Sequence, residues 1–169
     1  MSKNLLNQRK ENQMKVYEGK LQAKGYKIGV VLSRFNQFIS ASLLEGALEA
    51  LKKLGAEEAD IKIYKVPGAF EIPLVASKLA EKKEVDGILC LGVLIRGDTP
   101  HFDFLSAEVT KGLAQIAINN GLPVSFGILT VENIEQGIER AGTKAGNKGY
   151  DAALALVEML NLIKEAKLG

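Results

Sequence analysis

Eight consecutive residues with no charged group, Gly87-Ile88-Leu89-Cys90-Leu91-Gly92-Val93-Leu94, follow Asp86 in the middle of the chain. A strand that meets water on one face alternates apolar and polar residues; a strand covered on both faces does not. The run is well short of the roughly 20 residues that span a bilayer as a helix. It predicts a buried strand over 86–94, in a sheet with helices on both faces.

The flanking sequence fits such a sheet. Ile28-Gly29-Val30-Val31-Leu32 reads as a first core strand, Ile61–Val66 as an alternating second and Val124–Leu129 as a fourth. Between them, apolar residues recur with helical spacing: Leu44, Ala47, Leu48 and Leu51, then Ile72, Val75, Ala76 and Leu79, then a segment from Phe102 to Asn119. Ile134–Ala141 predicts a short helix, and Leu156, Val157, Leu160 and Ile163 mark a long final one. Gly55 and Gly121 stop two helices, and Pro73 stands in a first turn that tolerates it. Strands separated by helix-length segments imply parallel units with right-handed crossovers. The expected fold is therefore a three-layer α/β/α sandwich around a four-stranded parallel sheet. Met14–Gly19 predicts one more short strand, outside the alternation and suited to the sheet edge of a neighbouring subunit.

Composition narrows the function. With no linker or repeat, 14–169 reads as one domain, and the 169 residues suffice for a full core. Met1–Gln13 is rich in Asn, Gln, Lys and Glu and lacks the apolar centre of a signal peptide, so 1–13 predicts a disordered polar extension. A net charge of +2 without a basic run interleaved with aromatics argues against nucleic acid. No stretch argues for a membrane. Cys90, the only cysteine, cannot form an internal disulfide and suits a reducing cytoplasm; within its strand it reads as a core residue. One histidine and one cysteine make a zinc site improbable. No G-x-G-x-x-G fingerprint follows the first strand.

In a parallel sheet the strand C-termini share one rim, where ligands bind. Four loops gather there: Ser33–Asn36, Pro67–Glu71, Arg96–His101 and Thr130–Asn133. Phe35 and Asn36 either stack on a flat heterocycle and hydrogen-bond its edge, or cover the core and cap a helix. Gly68 lets the main chain approach a ligand beside Ala69 and Phe70. Glu71 either binds hydroxyl groups or complements a helix N-terminus. Thr99 suits an N-cap and Pro100 a first helical position, so free N–H groups near Asp98 and Thr99 would attract phosphate. The Asp98 carboxylate opposes this unless it points away. His101, the only histidine, is either structural or a proton carrier beside that anion.

Arg140, Lys144 and Lys148 either neutralise a phosphate or are solvated charges near a helix end. The segment Gly142–Gly149 looks superficially like a P-loop, but Asn147 replaces its second glycine, no Ser or Thr follows Lys148, and a helix precedes it.

Five motifs in order are together specific: Ser33-Arg34-Phe35-Asn36, Val66-Pro67-Gly68-Ala69-Phe70-Glu71-Ile72-Pro73, the segment Gly92–Phe102, Phe126-Gly127-Ile128-Leu129-Thr130, and the segment Glu135–Gly149. Over about Met14 to Lys164 the chain resembles the lumazine synthase (6,7-dimethyl-8-ribityllumazine synthase) family. The resemblance implies a flavodoxin-like fold and a step of riboflavin biosynthesis. In it, 5-amino-6-(D-ribitylamino)uracil condenses with 3,4-dihydroxy-2-butanone 4-phosphate, releasing phosphate and water, without metal or organic cofactor. It implies that Phe35 and Asn36 meet the uracil ring, that Ala69, Phe70 and Glu71 hold the ribityl chain, and that Val93, Leu94 and Ile95 offer backbone contacts to the pyrimidine. Asp98 and Thr99 would give N–H groups to the phosphate, Arg140 would pair with it, and His101 would shuttle protons. Phe126 would reach into a neighbouring subunit's site, and Lys148 would lie near the ribityl chain. The family forms pentamers, and some members close twelve pentamers into icosahedral shells that can enclose riboflavin synthase. A container protein, or a flavin-binding module with incidental catalysis, is the alternative at this point.

Overall fold

The structure, a computed structural model, describes residues 14–143 and 146–169, so the polar extension and Lys144 lie outside the described residues. The elements are β1 (Ile28–Ser33), α1 (Gln37–Lys53), β2 (Ile61–Val66), α2 (Ile72–Lys82), β3 (Gly87–Ile95), α3 (His101–Asn120), β4 (Val124–Val131), α4 (Ile134–Arg140) and α5 (Lys148–Glu165). The sheet order is β2-β1-β3-β4 and every pair is parallel.

The central strands feed both layers, as period-two geometry requires. Val31, Ile88 and Cys90 pack with Ile72 and Ala76 of α2 and Val109 and Leu113 of α3. Val30, Leu32, Leu89 and Leu91 pack with Ala47 and Leu51 of α1 and Leu156 and Val157 of α5. Burial pushes the Cys90 thiol far above its ordinary pKa, so it stays a neutral core group. Ile39, Leu43, Val93, Leu129, Val131 and Ala141 close the core beneath the rim.

The helices α1 and α5 cross where side chains are missing. A Cβ at Gly149 would collide with the Leu43 carbonyl oxygen, and one at Gly46 with the Asn147 amide. Only glycine admits this approach.

Element ends differ from the sequence expectation by a residue or two, and three of these differences lie at the rim or on the site segments. β4 runs on through Val131, because Thr130 and Val131 pair with Leu94 and Ile95. The fourth helix ends at Arg140, with Ala141 as its C-cap. Pro100, not Thr99, is the N-cap of α3, and His101 is its first residue. The Pro100 carbonyl already accepts from Asp103 N–H at 3.1 Å and Phe104 N–H at 3.4 Å.

Residues 14–20 form no strand within the single chain. Met14 and Val16 are exposed. From Gly19 onward the segment is pinned to α5: a Cβ at Gly19 would strike the Glu158 carbonyl, and Asn161 Nδ2 donates to the Gln22 carbonyl at 2.9 Å. The sheet edges differ. β2 carries Lys62 and Lys65, whereas β4 lies along a concavity of about 960 Å³ with Ile118, Leu122, Phe126, Met159 and Leu168 in its walls.

Candidate active site

The loops after β1 and β2 are tied by main-chain hydrogen bonds, Arg34 N–H to the Val66 carbonyl at 2.8 Å and Phe35 N–H to the Pro67 carbonyl at 3.1 Å. Phe35 is 67% exposed and Phe70 65%, so neither ring covers the core. They stand as apolar platforms on the rim. Asn36 holds a left-handed backbone, φ 53°, and its side chain makes no cap bond. Its carbonyl instead accepts from Ile39 and Ser40 N–H, and its Nδ2 is buried without a partner. A buried, unpaired donor costs stability; Asn36 thus holds the N-cap position of α1 through its carbonyl and not through its side chain. Glu71 does serve its local turn: Oε2 accepts from Gly68 N–H at 2.9 Å.

β3 extends past its neighbour. Its last pair with β1 is Leu91 with Leu32, so Gly92–Ile95 have a strand partner on the β4 side only. Main-chain groups of this overhang face the loop that carries Phe35. The overhang also explains Gly92, since a Cβ there would lie 2.5 Å from Ser33 Oγ. That hydroxyl is fully buried and has no hydrogen-bond partner.

Beyond β3 the chain runs exposed from Arg96 to His101. Asp98 and Thr99 make no side-chain hydrogen bond, and the Asp98 carboxylate takes part in no ion pair among the described residues. Arg96 is different. Its Nη1 meets Asp103 Oδ2 at 3.0 Å, its Nε meets Glu132 Oε2 at 2.7 Å, and its Cζ lies 4.3 Å from the Phe102 ring centre. The two carboxylates, Asp103 foremost, hold the guanidinium pKa above its ordinary value.

The remaining predicted residues lie elsewhere. Phe126, Arg140 and Lys148 line the β4 concavity with Thr130 and Asp151. Lys148 pairs with Asp151 at 2.9 Å, while the half-buried Arg140 has no ion pair among the described residues. Phe126 pairs with Cys90, five positions before the rim-level pair of Val131 with Ile95. At about 3.3 Å per residue that is roughly 16 Å below the rim. Edge strands β2 and β4 are three strand spacings apart, about 14 Å. The Phe126 side chain and the Glu71 carboxylate therefore belong to different places on one chain.

The family described as 6,7-dimethyl-8-ribityllumazine synthase matches residues 25–164, most of the chain. The chain belongs to the lumazine synthase family. Two curated relatives of that name, from two strains of Clostridium kluyveri, are each 59% identical over 152 residues, covering 90% of this chain and 99% of theirs. This lumazine synthase is accordingly a transferase of riboflavin biosynthesis.

Sequence reasoning assigned no role to the Arg96 clamp or to Asn147. Asp103 stands one helical turn after the loop and was in reach of inspection; Glu132 is 36 positions from Arg96 and was not. Asn147, the misfit in the P-loop comparison, caps α5 by accepting from Gly149 and Tyr150 N–H, and donates to the Ser42 and Ala141 carbonyls.

Proposed function

We propose that this lumazine synthase makes 6,7-dimethyl-8-ribityllumazine at sites shared by two adjacent copies. One copy gives the rim. Phe35 stacks on the uracil ring, the Asn36 amide and the Val93–Ile95 backbone meet its edge, and Ala69, Phe70 and Glu71 hold the ribityl chain. Asp98 and Thr99 N–H groups take the phosphate of 3,4-dihydroxy-2-butanone 4-phosphate, and His101 carries protons. The other copy gives Phe126, Arg140 and Lys148 from its β4 concavity. The observation that carries this reading is the distance between Phe126, low on the β4 edge, and the loop that carries Glu71, too far on one chain for one small molecule to touch.

Such a site needs few reactive groups. The substrate amine is the nucleophile and forms an imine with the ketone; phosphate leaves by elimination and the ring closes. Holding two reactants in geometry is worth about 7–11 kcal/mol of barrier. One placed proton carrier adds about 10²–10⁴ in rate.

The reading includes assembly. Met14–Gly19 adds as a strand to the free β4 edge of a neighbour, since lysines guard the β2 edge. Pentamers result, and the 142–149 sequence, without insertions, favours closure into a shell able to enclose riboflavin synthase. The setting is cytoplasmic, in keeping with a single buried, unpaired cysteine.

The test mixes both substrates and follows lumazine fluorescence and released phosphate. Co-assembling His101→Ala with Arg140→Ala chains then rebuilds intact composite sites. Activity above the mean of the two parents is expected; activity equal to that mean overturns the shared site.

A further inference from the structure

Residues 97–102 carry the phosphate N–H groups and the proton carrier of the reading above, yet their side chains make no hydrogen bond among the described residues. A Cβ at Gly97 would meet nothing within 4 Å, and the N-cap of α3 has no side-chain bond. Exposed loops with so few contacts sample many conformations. Phe102 anchors the helical end of this one against the core, and two further restraints come from a single residue at its other end. Arg96 N–H donates to the Val131 carbonyl at 2.9 Å, fixing where the loop leaves the sheet. The Arg96 side chain then spans the loop to Asp103 at 3.0 Å in the first turn of α3, and to Glu132 at 2.7 Å on the loop after β4. Phe102 supports the guanidinium from its face.

We propose that Arg96 is a positioning residue. Its guanidinium closes the 97–102 segment into a ring and sets the distance between the phosphate N–H groups and His101. An arginine beside a phosphate loop would ordinarily be read as a phosphate ligand. Here two carboxylates take its Nε and one Nη1 donor and oppose its charge, and its planar fork suits that double engagement as a lysine's point charge would not. Pairs this exposed add little to stability. Their effect falls on the geometry of the loop.

This rests on the phosphate and proton roles given to Asp98, Thr99 and His101, and the experiment separates the two. Steady-state kinetics with both substrates are compared for Arg96→Ala, Asp103→Ala and the double variant, with thermal melting and assembly state as controls. Arg96→Ala is expected to lower kcat/KM for the butanone phosphate by about 10–100-fold, the scale of a small misplacement. It should raise that KM, lower kcat, and leave KM for the uracil within about twofold. Asp103→Ala is expected to lower kcat as well, although it removes a negative charge beside an anionic substrate. The double variant should be no worse than Arg96→Ala alone, the signature of one coupled unit. If Arg96 were itself a phosphate ligand, Asp103→Ala would free it and improve use of the butanone phosphate; that result overturns the proposal. So does wild-type kinetics in Arg96→Ala while His101→Ala still slows turnover. If His101→Ala and Arg140→Ala were both silent, the underlying site reading would be the one to fall.

Discussion

Replacing Asn147 by alanine tests the joint between the fold and the site. Its side chain makes four hydrogen bonds: Oδ1 accepts from Gly149 N–H at 2.8 Å and Tyr150 N–H at 3.1 Å, and Nδ2 donates to the Ser42 carbonyl at 2.7 Å and the Ala141 carbonyl at 2.9 Å. Three helices, α1, α4 and α5, meet on it. Loss of an N-cap costs about 1 kcal/mol, and each lost bond to a half-buried carbonyl about 0.5–1.5 kcal/mol. The sum is about 2–4 kcal/mol. For a chain of this size that lowers the melting temperature by roughly 4–16 °C. Scanning calorimetry at one fixed protein concentration measures it, because self-association would make melting depend on concentration. Arg140 ends α4 and Lys148 begins α5, so the same change should raise KM for the butanone phosphate. Asn147→Asp keeps the cap acceptor but sets a carboxylate oxygen against the Ser42 and Ala141 carbonyls, and should be no more stable than alanine. A melting change under about 2 °C in Asn147→Ala would refute the reasoning, since water would then replace all four bonds without cost.

Three further outcomes are expected. His101→Ala slows turnover by about 10²-fold, the low end for a placed proton carrier, and stays well above the uncatalysed rate; complete loss with fold and binding intact would contradict a site driven by positioning. Arg140→Ala raises KM for the butanone phosphate by about 10-fold or more, the worth of a charge-assisted hydrogen bond, and an unchanged KM removes its phosphate role. Ser33→Ala deletes a buried, unpartnered hydroxyl and should stabilise by about 1 kcal/mol. Gly92→Ala should cost about 1–3 kcal/mol through contact with that hydroxyl. In the double variant much of this cost should vanish, and strict additivity in melting experiments would show that the two do not touch.

The sheet was legible because β3 and β1 are covered on both faces, and such strands cannot hide their composition. The rim loops were legible because strand ends in a parallel sheet point one way. Other features depend on what sequence does not carry. Pro100 fits either an N-cap or a first helical position by its φ of −68°; its ψ of 3° decides, and that is set by packing. Thr130 and Val131 looked like loop because their strand character comes from pairing with Leu94 and Ile95. Asn147 binds Ser42, 105 positions away, and no local pattern announces that bond. The exposure of Phe35 and the missing cap bond of Asn36 are tertiary facts too. They remove the core-cover and side-chain-cap readings and leave the ligand role as a proposal.

On the proposed reading, charge gives a reason for a second copy at the phosphate site. Around the 97–102 segment stand three carboxylates, Asp98, Asp103 and Glu132, against the single guanidinium of Arg96, whose donors already engage two of them. Main-chain N–H groups at the head of α3 attract an anion, but they do so inside a field of excess negative charge. A phosphate dianion held there needs a cation from outside the loop. Arg140 meets that need: it is half-buried, its guanidinium has no ion pair among the described residues, and it lines the β4 concavity with Phe126. On its own chain that concavity lies along the edge strand, so under the proposed reading the cation that balances one copy's phosphate loop would come from the next copy's edge. Diluting the assembly to free subunits should therefore weaken inorganic phosphate binding even where the loop itself keeps its shape.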